Sequence, residues 1–294
     1  MQLYSYWSWA TLDCRNADGN PYYLTAYAGS DTSPAAAKTA AEQLVQQRYT
    51  RLLAGDKLGE YPTGSAPLRE QLIQRVHDSQ GNQIAALTRN RYGSLVLNAP
   101  RLMMLDVDDQ GLQPEPESEP FSLRHFLRNL FSPLPPPPRL SPPELREQLR
   151  LRLTAWLQLY PDWNFRLYRT CLGFRLLVTH QLLDPNSPKA QEVFSAMRTD
   201  KIYVRLCQMQ NCYRARLSPK PWRIGWRRPP HSFPYRGPEE EQEQQQWEQQ
   251  YIVRSEAFSV CEWVGEYGSS YVLPEVKSLI ELHDEVCLGG KKLA

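Results

Sequence analysis

The chain has 294 residues, of which 34 are lysine or arginine, 32 are aspartate or glutamate and 41% are apolar. These values are ordinary for a globular protein with one large domain or two smaller ones, and no apolar run approaches the about 18 residues of a membrane span. The net charge of +2 indicates no class of partner.

The six cysteines follow no scaffold-like spacing, and the N-terminal segment lacks the basic and apolar parts of a signal peptide. We therefore expect a cytoplasmic protein with reduced thiols. Cys207 and Cys212 form the one close pair, and a zinc site needs about four ligands, so the spacing disfavours zinc.

Residues 1–60 predict a ββα unit. Aromatic residues favour a first strand near residues 4–9, a turn follows at residues 18–21, and residues 22–28 favour a second strand. Ser33-Pro34 then begins a helix over residues 35–54. The aromatic side chains predict a core, with a stacking surface for nucleic-acid bases as the alternative.

Residues 61–294 predict an α+β core. The pattern predicts helices at residues 68–78, 144–159, 187–197, 239–254 and 274–286. It predicts strands at residues 84–89, 94–97, 102–107, 165–170, 174–179, 203–207, 213–217 and 258–267. The expected fold is a mostly antiparallel central sheet flanked by helices.

A proline-rich insertion at residues 111–143 interrupts this core. It contains a predicted short amphipathic helix at residues 122–131 and a run of four prolines at residues 135–138, which favours an extended polyproline conformation. The insertion is interpreted as a stiff surface segment, with docking of a protein partner as the alternative.

Charge is unevenly distributed near the C-terminus. Residues 198–236 hold ten lysines and arginines and one acid, whereas residues 237–262 hold seven glutamates and one arginine. The two blocks either neutralise each other or leave a basic surface for phosphate or nucleic acid, on which Trp222 and Trp226 could stack with bases.

The predicted strand at residues 102–107 leads into an acidic sequence, Asp-Val-Asp-Asp. Asp106 and Asp108 are two residues apart, so on a strand their side chains point to the same face and could share a divalent ion. A turn-capping role is the alternative, since aspartate is common in turns. The arginines and lysine of residues 214–223 (Arg-Ala-Arg-Leu-Ser-Pro-Lys-Pro-Trp-Arg) are suited to phosphate oxygens.

The order of these elements and motifs over residues 102–223 resembles the archaeo-eukaryotic primase superfamily, the primase-polymerases. The resemblance rests on the Asp-x-Asp strand end, on residues 170–175 (Thr-Cys-Leu-Gly-Phe-Arg) and on the Arg-Leu-x-Pro of residues 216–219. Two blocks, at residues 88–93 and 214–223, are similar to sequences of uncharacterised bacterial proteins. This second similarity implies no function.

This resemblance implies a metal-dependent nucleotidyltransferase that uses Mg²⁺ or Mn²⁺. Asp106 and Asp108 would bind the metal, and Asp200, or failing it Asp184, would be the third acid. The resemblance implies that Thr170, Gly173, Arg175, Arg214 and Arg216 bind phosphate. His180, as the nearest histidine, and Lys220 and Arg223 of the basic stretch are further candidates for phosphate binding.

The chain departs from the family pattern at two positions. Arg175 stands where the family has histidine, and the nearest histidine, His180, lies five residues further on. Lys220 stands where a glycine is common. Arg175 would either grip a triphosphate or pair with the acids and take the place of the metal.

Two classes of function therefore stay open. One is a nucleotidyltransferase or nucleotide-binding protein, and the other is a non-catalytic module that binds nucleic acid or protein through residues 198–236. His283-Asp284 has the composition of a hydrolase metal dyad, but no second His-Asp pair accompanies it, so metal-dependent hydrolysis is disfavoured.

Overall fold

The computed structural model describes residues 1–56, 67–114, 139–289 and 291–294. Its elements form an α+β fold with mostly antiparallel sheets and flanking helices, as the sequence predicts, but two four-stranded sheets stand where one central sheet was expected. None of the helices within the described residues is long and apolar enough to cross a membrane.

The N-terminal ββα unit is confirmed. Strands β1 (Tyr6–Arg15) and β2 (Pro21–Ser30) form an antiparallel hairpin, and helix α1 (Pro34–Leu53) packs on it. The side chain of Ser33 caps α1 by accepting a hydrogen bond from the backbone N–H of Ala36. The small apolar core of this unit is mostly aliphatic, with Ala10, Leu24, Ala26, Ala41, Val45 and Leu52 buried.

Ten further strands and six further helices follow in the described residues. The strands are β3 (Gln71–His77), β4 (Gln83–Arg89), β5 (Leu95–Ala99), β6 (Met104–Asp108), β7 (Asn164–Thr170), β8 (Gly173–Val178), β9 (Tyr213–Arg216), β10 (Phe258–Ser259), β11 (Cys261–Gly268) and β12 (Lys292–Leu293). The helices are α2 (Asp109–Leu112), α3 (Pro142–Leu159), α4 (Pro188–Ala196), α5 (Lys201–Gln210), α6 (Pro238–Ser255) and α7 (Pro274–Cys287).

Two four-stranded antiparallel sheets carry the core. One has the strand order β3-β4-β5-β9 and the other β11-β7-β8-β6, so β9 and β6 are edge strands of different sheets. One continuous apolar cluster extends through both sheets and through helices α3, α4 and α7. The two sheets are therefore parts of a single folded body.

The edges β6 and β9 meet at a seam that helix α5 holds together. The backbone N–H of Asp200 donates to the carbonyl of Asp106 at 2.9 Å. The hydroxyl of Tyr203 donates to the carbonyl of Met104 at 2.8 Å and accepts from the backbone N–H of Arg214 at 3.4 Å. One phenol thus connects β6 of one sheet to β9 of the other.

Two predicted elements are wrong. The pattern predicts a helix at residues 68–78, but residues 71–77 form β3, whose pairing with β4 shifts register twice, between Leu72 and Gln74 and between Val76 and His77. Each irregularity interrupts the two-residue alternation, and the apolar spacing then resembles that of a helix.

The second wrong prediction is the strand at residues 203–207, which lie in helix α5. Asp200 caps the start of this helix through the backbone N–H of Tyr203, and Asn211 ends it in the left-handed conformation with φ 50°. The β-favouring Ile202, Tyr203 and Val204 therefore adopt a helix because its two ends are specified.

Several predictions fall outside the described residues. The helix at residues 122–131 and the four prolines at residues 135–138 lie within residues 115–138, and the unit boundary at residue 60 lies within residues 57–66. Helix α3 begins at Pro142, within the last two residues of the predicted insertion, and Ser141 and Glu144 form a capping box at its start.

Candidate functional site

The second sheet places three polar side chains in one row across its strands. Asp106 of β6 is paired with Arg175 of β8, and Arg175 is paired with Tyr168 of β7. Directly opposed residues in antiparallel strands point to the same face, so the row lies on one side of the sheet. The C-terminal helix α7 contacts this side through His283 and Asp284.

Three predicted acids gather at the open end of this row. Asp108 is exposed at the end of β6, and partial desolvation, with the neighbouring carboxylates of Asp106 and Asp200, raises its pKa. The backbone hydrogen bond between Asp200 and Asp106 fixes their separation. Asp184, the second candidate for the third acid, instead accepts a hydrogen bond from the backbone N–H of Asn186 in the turn before α4.

Basic groups face these acids from across the seam. Arg216 lies at the end of β9, and Lys220 and Arg223 lie in the 3₁₀ turn region that follows. Partial burial and the neighbouring guanidinium groups of Arg216 and Arg223 lower the pKa of Lys220. Within the described residues, no carboxylate lies within 4.0 Å of any of these three side chains.

The acids and bases together could bind a metal–phosphate group. Carboxylate oxygens are the ligands that Mg²⁺ and Mn²⁺ prefer, and Asp106 and Asp108 project from the same face of one strand. In a closed three-ligand site, all ligand atoms lie within about 4.8 Å of one another. The carboxylate oxygens of Asp106, Asp108 and Asp200 do not meet this condition. A metal ion at this place would therefore need further oxygen ligands from phosphate or water.

The turn between β7 and β8 closes tightly on the acids. Gly173 is paired with Asp108, and a Cβ atom at Gly173 would lie 2.2 Å from the carbonyl oxygen of Val107. Glycine is therefore required by the close approach of the two strands. The carbonyl of Leu172 in this turn accepts a hydrogen bond from the backbone N–H of Asp109.

Asp109 is held by a structural partner. Both of its carboxylate oxygens accept hydrogen bonds from the guanidinium of Arg169, at 2.5 and 2.7 Å. This bidentate pair stiffens the β7–β8 turn and takes the third aspartate of the Asp-Val-Asp-Asp sequence out of the candidate metal ligands.

Arg175 adopts neither of the two expected roles. It is only 4% exposed, and its Nη1 atom donates to the carbonyl of Arg216 and to Nε2 of His283, each at 3.0 Å. It forms no salt bridge with Asp106 or Asp108. A buried guanidinium cannot grip a triphosphate, so Arg175 supports the backbone that presents Arg216.

Arg214 also departs from the expected role. Its guanidinium donates to Glu70 at 2.5 Å and to Gln210 at 2.8 Å. Glu70 in turn accepts from the hydroxyl of Thr88, which accepts from the side-chain amide of Asn98. This largely buried network stabilises the first sheet and occupies Arg214.

His180 lies away from the acids. It follows β8 at the end opposite Gly173, packs against Trp163 with ring centroids 4.6 Å apart, and accepts a hydrogen bond at Nδ1 from the backbone N–H of Asn164. Burial lowers its pKa. The structure therefore brings together Asp106, Asp108, Asp200, Gly173, Arg216, Lys220 and Arg223, with Thr170 in the adjoining turn, and leaves out His180 and Arg214.

An exposed aromatic and basic surface borders Lys220. Trp222 is 43% exposed and meets Tyr92 of the β4–β5 turn edge to face, with ring centroids 5.1 Å apart. The guanidinium of Arg228 lies 5.1 Å from the Trp222 ring and Nζ of Lys220 lies 5.6 Å from it. Trp226, expected to share this role, is instead partly buried against Ile224 and Trp247.

A second polar cluster lies behind the acids and was not predicted. Cys261, His283 and Cys287 are buried, and their ligand atoms all lie within 4.8 Å of one another. The sequence held one signal for it, the His-x₃-Cys spacing, which places both side chains on one face of a helix. Cys261 lies 22 residues before His283, too far away for spacing alone to connect them.

Comparisons of the chain with protein-family models, curated proteins and solved structures found no match.

Proposed function

We propose that the seam between β6 and β9 binds a nucleoside triphosphate with Mg²⁺ or Mn²⁺, in a nucleotidyltransferase of the primase-polymerase kind. One observation carries this proposal. Asp106 and Asp108, with Asp200 beside them, face Arg216 and Lys220, which have Arg223 beside them. Within the described residues, none of these three cations has a salt-bridge partner. An anion with its own divalent cation would neutralise both groups of charges.

Each group has a defined part in this proposal. Asp106 and Asp108 would hold the metal, which when bound supplies charge neutralisation at the phosphates and activation of an attacking hydroxyl. Arg216 and Lys220 would bind the phosphate oxygens, with Arg223 beside them. Asp200 would add the third negative charge, while its side chain also caps α5 through Tyr203.

The positions of the buried residues support the same proposal. Arg175 holds the carbonyl of Arg216 in place, so it acts as a positioning residue. Gly173 and Thr170 shape the turn next to Asp108. Resemblance to the primase-polymerase motifs gives this site its chemical class.

A nucleic-acid-binding module without catalysis is the second candidate, and a specific observation favours it. Trp222, Tyr92 and Arg228 form an exposed aromatic and basic surface that continues from Lys220. Bases stack on such rings while cations contact the backbone phosphates. This surface also suits the template of a polymerase, so it serves both candidates.

The proposal is tested by calorimetric titration of the full chain with a nucleoside triphosphate in Mn²⁺. We expect metal-dependent binding that is lost in Asp106→Asn/Asp108→Asn. Asp13→Asn is the matched control, since Asp13 lies on β1, outside the seam. Retained affinity in a metal chelator would contradict the metal site and favour the binding module.

A second titration separates the two candidates. Fluorescence anisotropy with a labelled single-stranded oligonucleotide should show salt-dependent binding that Trp222→Ala weakens about tenfold. If this binding occurs without any triphosphate binding in Mn²⁺, the nucleotidyltransferase is wrong and the binding module stands.

A cytoplasmic location belongs to this proposal. Its support is that all six cysteines are free, including the buried Cys207 and Cys212. The proposed protein partner of the proline-rich insertion concerns residues that are outside the described ranges.

A further inference from the structure

The cluster of Cys261, His283 and Cys287 has the donor atoms and the burial of a structural zinc site. The three side chains are 1%, 0% and 0% exposed, and their two sulfur atoms and ring nitrogen lie within 4.8 Å of one another. Tetrahedral zinc needs ligand atoms roughly 3.5–4 Å apart, given metal–ligand distances of about 2.0–2.3 Å. Shifts of roughly 1 Å would therefore close the site around an ion.

The histidine is oriented as a metal ligand. Arg175 can only donate, so His283 accepts at Nε2 and carries its proton on Nδ1, which donates to Asp284 at 2.9 Å. The lone pair of Nε2 accepts from Arg175, so it would become available to a metal when Arg175 gives up this hydrogen bond. A carboxylate behind the ligating histidine is the usual support of zinc-bound imidazole.

That carboxylate is itself fixed. Asp284 accepts hydrogen bonds from the hydroxyl of Tyr168 at 2.7 Å and from the guanidinium of Arg166 at 2.6 Å. Tyr168 and Arg166 of β7 therefore fix Asp284, and Asp284 in turn fixes the orientation of His283. This second layer of contacts is the kind that orients a zinc-bound imidazole.

The backbone also presents the ligands in a suitable way. His283 and Cys287 are four residues apart on α7, so one helix face supplies two ligands, and Cys261 begins β11 beside the end of that helix. The backbone N–H of Val260 donates to the carbonyl of Cys287 at 3.1 Å and fixes this approach.

We propose that Cys261, His283 and Cys287 bind a zinc ion. Sulfur and imidazole ligands select zinc over Mg²⁺ and Mn²⁺, so this site is separate in chemistry from the acids at the seam. Two thiolates would balance the charge of the ion. Arg175, whose Nη1 lies 3.7 Å from the sulfur of Cys287, would donate to that thiolate. The three residues would supply three of the four ligands of a tetrahedral ion. The carbonyl of Arg216 accepts a hydrogen bond from the thiol of Cys287 at 3.6 Å, and this bond would be lost when the thiol binds metal as a thiolate.

The connectivity also resembles a Cys-His-Asp nucleophile triad, but burial argues against it. The sulfur of a catalytic cysteine has to reach a substrate, whereas Cys261 is 1% exposed within the main apolar cluster. Two surface clefts, one bounded by Tyr251 and Glu285 and the other by Lys277 and Glu281, are not lined by Cys261 or Cys287. The cluster is therefore assigned a structural ion.

Zinc would also affect the seam. Binding would take the Nε2 lone pair of His283, so Arg175 would keep its hydrogen bond to the Arg216 carbonyl and give up the one to His283. The metal would thereby tie α7 and β11 together behind the strand that carries Arg175. This assignment does not depend on nucleotide binding at the seam.

The test is the metal content of the full chain, purified under reducing conditions, by elemental mass spectrometry. We expect about one zinc ion per chain, falling to background in Cys261→Ser and in Cys287→Ser. Cys207→Ala is the matched control, because Cys207 is equally buried in the same apolar cluster but lies outside the three-ligand group.

Cobalt substitution keeps the proposal testable if the cysteine variants do not fold. Co²⁺ added to metal-free wild-type protein should give the visible bands of a tetrahedral ion and the near-ultraviolet absorption of two thiolates, and Zn²⁺ should displace it. Absence of zinc together with absence of these cobalt bands would overturn the assignment. A Cys261–Cys287 disulfide in the freshly purified protein would also overturn it.

Discussion

Arg214 and Arg216 are two residues apart on one face of the same short strand, yet the structure treats them differently. Arg214 is enclosed with Glu70, Thr88 and Asn98, whereas Arg216 faces the acids at the seam without a carboxylate within salt-bridge distance in the described residues. The difference shows that an arginine-rich sequence does not itself define a phosphate site. The partners supplied by the rest of the fold decide which arginine is left for a ligand.

The largest expected effect comes from removing the carboxylate that pairs with the enclosed Arg214. Glu70→Gln leaves the charge of Arg214 largely buried without a carboxylate, which should lower the free energy of unfolding by about 3 kcal/mol. Chemical denaturation measures this loss. Glu42→Gln, which removes an exposed ion pair with Lys38, should cost less than about 0.5 kcal/mol. Equal losses in the two variants would contradict the structural role of the network.

Gly173→Ala tests the close approach of β8 to the acids. The added methyl group meets the Val107 carbonyl, so we expect a loss of about 1–3 kcal/mol in the free energy of unfolding. Gly237→Ala is the control, because no atom lies within 4 Å of the position that its added methyl group would take, and its φ is extended. An unchanged denaturation midpoint for Gly173→Ala would mean that the turn is looser than described.

Arg216→Gln tests whether Arg216, which faces the acids at the seam, binds phosphate. Removal of a charged donor to phosphate should weaken triphosphate binding about tenfold while the free energy of unfolding stays within about 0.5 kcal/mol. Calorimetric titration and denaturation measure the two quantities. Lys277→Gln, at an exposed position on α7, should change neither. A large loss of stability with unchanged affinity would place Arg216 with Arg214 as a structural residue.

The smallest expected effect concerns His180, which lies away from both Arg214 and Arg216. Its pKa is lowered in the folded state, so the unfolded chain binds its proton more readily. Stability should therefore fall as the pH drops through the histidine's unfolded pKa of about 6.5 and level off below its folded value. Denaturation at several pH values, compared with His180→Asn, measures this part, and an identical pH dependence in the variant would assign it to other groups.

The sequence predicts most elements of this fold because their signals are local. The β4–β5 hairpin has Asn90 and Gly93 in its turn, and α3 has a capping serine and prolines at its start. The exceptions are β3, whose bulges disturb its alternation, and α5, whose end caps outweigh its β-favouring residues.

The candidate site was predictable only in part. Asp106 and Asp108 could be paired from their spacing, because a strand fixes their direction. The burial of Arg175 and the partner of Arg214 could not, since Cys287 and Glu70 are brought to them by the sheet and helix packing of distant segments. The cluster of Cys261, His283 and Cys287 similarly depends on β11 meeting the end of α7.

The phenol of Tyr203 has a consequence for how this molecule opens. Its hydrogen bonds join β6 to β9 without belonging to either ladder, so the amide proton of Arg214 is held by a side chain from outside the sheets. Hydrogen–deuterium exchange at Arg214 would therefore report separation of the two sheets before either sheet unravels. A triphosphate bound between the acids of β6 and the cations that follow β9 would slow that exchange. The exchange rate of the Arg214 amide would therefore report whether the seam has bound a ligand.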